Sequence, residues 1–198
     1  MNDDVYTRTL LNDDIHIYNQ NMAGLPDRDA AKTFIYALNY GAGNDKLGSI
    51  VGGGADDGAT IKAKFLRELP VLDRLIKHVK RASRKGWLKG LDGRQIPMRV
   101  YDGRVQEHKA LNTLLQSAGA IVMTHSRVLL DQWVKEEGLD VIKVIDYHDE
   151  AQAEVHPKDV DRYRELAELS IVKAGELLKL NLPLAAESKV GKDWSETH

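Results

Sequence analysis

No cysteine occurs in the 198 residues. A disulfide framework, a zinc ribbon and thiol catalysis are therefore excluded, and the composition fits a reducing cytoplasm. There is no long apolar run, and the opening "MNDDVYTRTLLNDD" is acidic and polar, unlike a secretory leader; neither export nor a membrane partner is expected. Neither sign of charge dominates. With 28 Lys and Arg against 30 Asp and Glu, the formal charge of -2 gives the whole chain no pull toward nucleic acid or membrane. Any basic surface has to be local. Internal repeats and low-complexity tracts are absent, and the glycine-rich "GGGADDGA" lacks the Lys-Ser or Lys-Thr that a phosphate-cradling P-loop requires. What remains is an ordinary globular composition, 42% apolar and 29% charged, in a chain long enough for one or two domains.

Local signals divide the chain into elements. "DDIHIYNQNMAGLP" reads as a short helix from Asp13 that Gly24, Leu25 and Pro26 end, and Asp27 stands as N-cap of a second helix over Arg28 to Tyr40. Gly41 and Gly43 stop that helix, "NDKLGSIV" gives a brief one, and "GGGADDGA" reads as a flexible joint. A long helical pattern over Ala59 to Lys85 contains Pro70, which predicts a kink. Trp87 to Val100 reads as a hairpin turning at Asp92-Gly93. From His108 a long, mostly apolar helix runs to Gly138. "VIKVIDY" and "AQAEVHP" predict two strands around "HDE", Asp159 to Lys179 a last amphipathic helix, and "LPLAAESKVGKDW" an extended tail. Helices first, then an antiparallel sheet with helices packed on it, predict an α+β fold.

Four features are candidates for chemistry. In "RDAAKTFIYALNYGAG", Arg28, Lys32, Tyr36 and Tyr40 recur at every fourth position. Each step of four turns the helix by about 400° and advances it by about 6 Å, so the four form one slowly turning stripe about 18 Å long. The cations sit at the N-terminal end, where free N–H groups and the helix dipole favour an anion. The phenols sit at the other end, where an aromatic face stacks on a base. One helix with this stripe holds both halves of a nucleoside triphosphate; the same spacing also serves a surface helix whose cations are solvated and whose rings cap a core. In "YHDE", Asp149 and Glu150 stand in a turn beside a sheet, where paired carboxylates hold a hard cation such as Mg²⁺ or are simply solvated. Asp146 on the preceding strand is either a further ligand or an edge charge, and the edge charge is the favoured reading.

Nine cations from Arg74 to Arg99 face the single acid Asp92, a local +8 that suits a phosphodiester backbone or a solvated helix face. Asn112 and Gln116 lie four apart on an apolar helix. Their carboxamides match base-edge acceptors in the minor groove, and equally satisfy buried backbone groups.

Together these residues resemble one family. "RDAAKTFIYALNYGAG" is similar to motif B, the fingers helix of family A DNA polymerases, the group that includes bacterial DNA polymerase I, and "YHDE" is similar to motif C. "DIHIYNQ", "GLDGR" and "ALNTLLQSAGA" bring the resemblance nearest to the replicative polymerases of small-tailed phages, from about Tyr6 to the terminal "ESKVGKDWSETH". The resemblance implies a helical fingers subdomain over 1–107 and the motif C half of the palm over 108–198. It also implies a template-directed polymerase that takes dNTPs, a DNA primer-template and Mg²⁺. Carried over, it assigns the triphosphate to Arg28 and Lys32 with His16 beside them, and the incoming sugar and base to Tyr36. Tyr40 matches the residue that stacks with the template. Asp149 matches a catalytic metal ligand and Glu150 its acidic neighbour, while His148, Gln116 and Asn112 match groups near the primer terminus and minor groove.

One part of the pattern is missing. The family holds two metals with two aspartates, the first in motif A, near a "DYSQIELR"-like segment, and nothing before Asp13 resembles it. The expectation is a split polymerase in which an N-terminal partner chain brings motif A, the thumb and possibly an exonuclease. A non-catalytic nucleotide- or DNA-binding module is the alternative.

Overall fold

A computed structural model describes residues 3–197. Met1 and Asn2, and His198 at the end of the expected match, lie outside the described residues. The chain divides into two compact units, one of Met1–Gly90 with Arg94–Leu115, the other of Leu91–Gly93 with Gln116–His198.

Six helices open the first unit: α1 (Asp4–Asn12), α2 (Ile15–Ala23), α3 (Arg28–Asn39), α4 (Asn44–Ser49), α5 (Ala55–Glu68) and α6 (Pro70–Ser83). Aspartates start the first three. Asp3 accepts from the Tyr6 N–H at 2.9 Å, Asp14 from those of His16 and Ile17 at 2.8 and 3.2 Å, and Asp27 from that of Ala30 at 2.8 Å. Each satisfies donors that a helix start leaves free. Helix α1 was not anticipated, because the expected path begins at Asp13.

Two boundaries differ from expectation. The predicted joint "GGGADDGA" ends at Gly54, and α5 begins at Ala55 because Asp57 reaches back to accept from the Gly54 N–H at 2.9 Å. The glycines within it serve packing. A Cβ on Gly58 would lie 1.9 Å from the Asn44 carbonyl oxygen and one on Gly48 1.8 Å from that of Gly54, so α4 and α5 meet backbone to backbone. The predicted kinked helix is two helices: Leu69 leaves the helical region at φ -123°, ψ 68°, and Pro70 starts α6 at a position where its missing N–H is not needed.

The core of this unit gathers Ala31, Phe34, Ile35 and Leu38 of α3 with Leu47, Phe65, Leu69 and Leu72. The rings of Phe34 and Phe65 meet edge to face at 5.5 Å. The unit continues with two hairpins. β1 (Trp87–Lys89) pairs with β2 (Gln95–Pro97), and β3 (Val100–Tyr101) pairs with β4 (Arg104–Val105). The second was not anticipated. Val100 belongs to it rather than to the expected hairpin, because Asp102-Gly103 makes a further tight turn. Val79, Leu88, Met98 and Ala110 form a smaller cluster beneath these strands.

A 3-10 turn (Glu107–Lys109) leads into α7 (Ala110–Glu137), which ends at Gly138 with φ 64° as expected. In the second unit β5 (Val141–Tyr147) and β6 (Glu150–Val155) form an antiparallel ribbon, with a register irregularity between Lys143 and Ile145. A 3-10 turn (Pro157–Asp159) and α8 (Val160–Leu177) follow; the tail is irregular and closes in the short α9 (Trp194–Thr197). The Ser126 and Ser170 hydroxyls, both buried, join α7 to α8 at 2.6 Å. Among the described residues the sheets are three two-stranded ribbons, and the mixture with helices is α+β. No helix there is long and apolar enough to cross a membrane.

Candidate functional site

The α3 stripe stands opposite the face that α3 buries. Ala31, Phe34, Ile35 and Leu38 anchor the helix, leaving Arg28, Lys32, Tyr36 and Tyr40 exposed. Tyr36 and Tyr40 are 49% and 53% accessible, so neither ring caps the core. Tyr40 is the C-cap rather than a helical residue, and its N–H still donates to the Tyr36 carbonyl at 2.9 Å. Behind it Gly41 has φ 79°, and a Cβ there would sit 2.3 Å from the His108 carbonyl oxygen, so the stripe has to end here.

His16 joins the stripe from α2, its ring 6.3 Å from that of Tyr36. Its Nδ1 is buried without a hydrogen-bond partner. Arg28 is held by Asp14, Nε to Oδ2 at 2.6 Å. That guanidinium, with the two N–H groups it caps, keeps the Asp14 carboxyl below its ordinary value. Asp14 thus starts α2 and tethers the first residue of α3, a role that sequence inspection missed although its N-cap position was a visible signal. Lys32 has no ion-pair partner among the described residues. Helix α2 itself is fixed by Asn19, whose buried side chain accepts from the Tyr6 hydroxyl at 3.1 Å.

The acidic turn is tighter than expected. Tyr147 pairs with Glu150 across the ribbon, so His148 and Asp149 alone make the turn, and Glu150 is the first residue of β6 rather than a turn residue. His148 takes φ 50° to allow this, and its ring packs edge-on to Tyr147 at 4.5 Å. Asp149 is exposed, and Glu150 accepts from the Gln152 amide. Asp146 is neutralised, 2.8 Å from Arg127 Nε and 3.0 Å from Lys143 Nζ, in keeping with an edge charge. Among the described residues no three His, Asp or Glu side chains gather as a closed metal cage. Asp149 and Glu150 are hard oxygen donors that fit Mg²⁺, an ion that keeps several waters and takes one or two carboxylates.

The basic stretch is partly neutralised. Lys77 pairs with Asp73 at 2.6 Å, Arg84 with Glu107 at 3.1 Å, and Lys85 lies over the Trp87 ring. Lys77 and Lys80 line a cavity of about 540 Å³ with Lys62, whose ammonium pKa is lowered by burial and by the like charge of Lys80. On α7, Asn112 and Gln116 sit one turn apart; Gln116 is exposed, and Asn112 has a buried Oδ1 without a hydrogen-bond partner.

The chain thus presents, in an α+β fold, a solvent-facing helix of cations and phenols backed by a glycine stop and a His-Asp turn on an antiparallel ribbon. The family described as DNA polymerase family A matches residues 1–196, and the chain belongs to it. It is 50% identical over 195 residues to the DNA-directed DNA polymerase of Escherichia phage Phieco32, covering 98% of this chain and 32% of that protein. To the DNA-directed DNA polymerase of Escherichia phage T7 it is 34% identical over 215 residues, covering 98% and 30%. The chain thus spans about a third of the length of these relatives. Its fold is similar to that of the POL domain of Pol1 from M. smegmatis, solved in complex with DNA primer-template and dNTP. The TM-score is 0.75 at 19% identity, over 86% of this chain and 32% of that one.

Proposed function

We propose that the chain is the fingers subdomain (residues 1–107) and the motif C half of the palm (residues 108–198) of a template-directed DNA polymerase. Its site is completed by a polypeptide that carries motif A and the thumb. The observation that carries this reading is the α3 stripe: Arg28, Lys32 and Tyr36 on one exposed face with the His16 ring against Tyr36. Arg28 exchanges Asp14 for the triphosphate, Lys32 neutralises charge that grows on the phosphates, and Tyr36 packs on the incoming sugar and base. Tyr40 stacks on the template. Asn112, Gln116 and His148 meet the primer-template, and Asp149, with Glu150 beside it, would hold the metal.

Family A DNA polymerases use divalent metal ions, and Mg²⁺ bound here would polarise phosphate oxygens during an in-line displacement. One aspartate is half of what two metals need, which is why this reading calls for a motif A segment beside it. The ribbon supports the same view: Ile142 and Val144 on β5 are 61% and 53% exposed, and both ribbon edges carry unpaired backbone groups that another strand would satisfy. We place the assembled enzyme in the cytoplasm, the host's if it is phage-encoded.

Primer extension tests this. The purified chain alone gives none, and activity appears on mixing with a motif A polypeptide in Mg²⁺. Robust extension by the chain alone, free of host polymerase, overturns the split. A mixture that binds DNA and nucleotide but never extends a primer favours the non-catalytic module.

A further inference from the structure

Hairpin β3–β4 has no part in the site described above. Its two-residue turn, Asp102-Gly103, takes positive φ at both positions, 47° and 68°. Such a turn matches the twist of the strands and pins their register, Val100 opposite Val105 and Tyr101 opposite Arg104. The Gln106 N–H donates to the Arg99 carbonyl at 3.0 Å and extends the pairing by one step.

Opposed residues share a face, and faces alternate along a strand. Val105 packs against the cluster of Val79, Leu88, Met98 and Ala110 and so turns toward the protein, while Val100 opposite it remains 59% exposed. The other face carries Arg99, Tyr101 and Arg104. Tyr101 is 75% exposed, the highest value among the exposed large apolar side chains. Both arginines are exposed, and neither has an acidic partner among the described residues. Folding gains little from a phenol held in water between two free guanidinium groups, so the arrangement is explained by a ligand with an unpaired π face and negative charge on either side of it.

We propose that this face binds single-stranded nucleic acid, with one unpaired base stacked on Tyr101 and the flanking phosphates on Arg99 and Arg104. The proposal rests on the DNA polymerase reading, in which a single-stranded template runs ahead of the primer. Charge and ring together select this occupant. An acidic protein would use the arginines without needing the π face, and the basic stretch that begins at Arg74 ends at Arg99, the first residue of this face.

Fluorescence anisotropy with labelled DNA tests it, comparing a blunt duplex with the same duplex carrying a 5′ single-stranded overhang. Tyr101→Ala weakens binding of the overhang DNA by about five- to a hundredfold and leaves the blunt duplex unchanged. Tyr101→Phe keeps wild-type affinity for both. Arg104→Ala lowers the slope of log affinity against log salt by about 0.7, the single-strand value for one phosphate. Equal binding of overhang DNA by wild type and Tyr101→Ala overturns this proposal while leaving the polymerase reading intact. Failure of the wild-type chain to bind either DNA overturns both.

Discussion

The two units carry their candidate residues in different ways. Helix α3 carries its stripe on a platform: four of its twelve residues are buried, with Phe34 locked edge to face on Phe65. The acidic turn rides on a two-stranded ribbon, a structure that is marginal by itself. Buried side chains are correspondingly few in the second unit, where Ile121, Met123, Leu166 and Ala174 are joined by a serine pair. The lesson is that the stripe proposed for the nucleotide is held in place by its own unit. The turn proposed for the metal has one aspartate on a ribbon whose Ile142 and Val144 stand in water.

The largest effect that separates the two regions is chemical. In the enzyme reconstituted with a motif A chain, Asp149→Ala should cut primer extension by about 10³-fold or more, since losing a metal removes several kcal/mol of transition-state stabilisation. Near-normal rates in this variant would show that the turn is not the metal site. Next comes packing. Phe34→Ala should cost about 3–5 kcal/mol in denaturant unfolding, whereas Ile142→Asp should stay within about 0.5 kcal/mol and instead weaken association with the motif A chain. Equal destabilisation by the two would erase the contrast between platform and ribbon.

Lys32→Ala should lower kcat by about 10²- to 10³-fold with unfolding unchanged, because it removes the charge proposed to act on the phosphates, and Lys32 makes no ion pair among the described residues. Tyr36→Phe is subtler. Resemblance to the family implies that a Tyr here tolerates a sugar without its 3′-hydroxyl, the phenol supplying the missing polar contact. Its loss should increase discrimination against dideoxynucleotides by about tenfold to a hundredfold, as one hydrogen bond to a charged group allows. Single-nucleotide incorporation measures it, and identical discrimination would mean that Tyr36 does not lie against the incoming sugar.

The smallest effect belongs to Asp14. Its carboxyl is held below the ordinary 3.8 by Arg28, so the folded state favours the ionised form. The stability this contributes is present in full above the unfolded value and is lost as pH falls through the lower, folded value. Wild type should therefore melt slightly above Asp14→Asn at neutral pH, and the gap should close as the solution is acidified past the ordinary carboxylate value. A gap that widened on acidification would refute the pairing.

Much of this was legible before any coordinates. Periodicity placed α3, α7, α8 and the ribbon, Asp27 marked a helix start, Gly138 a helix end, and the four-residue spacing put the stripe on one face. The errors have local causes. Asp57 capping Gly54 turned a glycine-rich joint into a helix start. Pro70 opened a helix that it was expected to bend, and Asp102-Gly103 made a second hairpin from residues read as the end of the first.

The sequence by itself determined which residue types recur at which spacing, because a helix repeats about every 3.6 residues and a strand every two, whatever the surroundings. Family membership came from the resemblance of whole motifs, not from spacing. Only the tertiary structure decided which candidates have company: that His16 meets Tyr36, that Arg28 is already held by Asp14, that Asp146 is neutralised by Arg127 and Lys143, and that Tyr101 faces water. Those contacts join residues from separate elements, or depend on which face the core takes. Spacing along one chain fixes direction within an element and leaves open what packs against it.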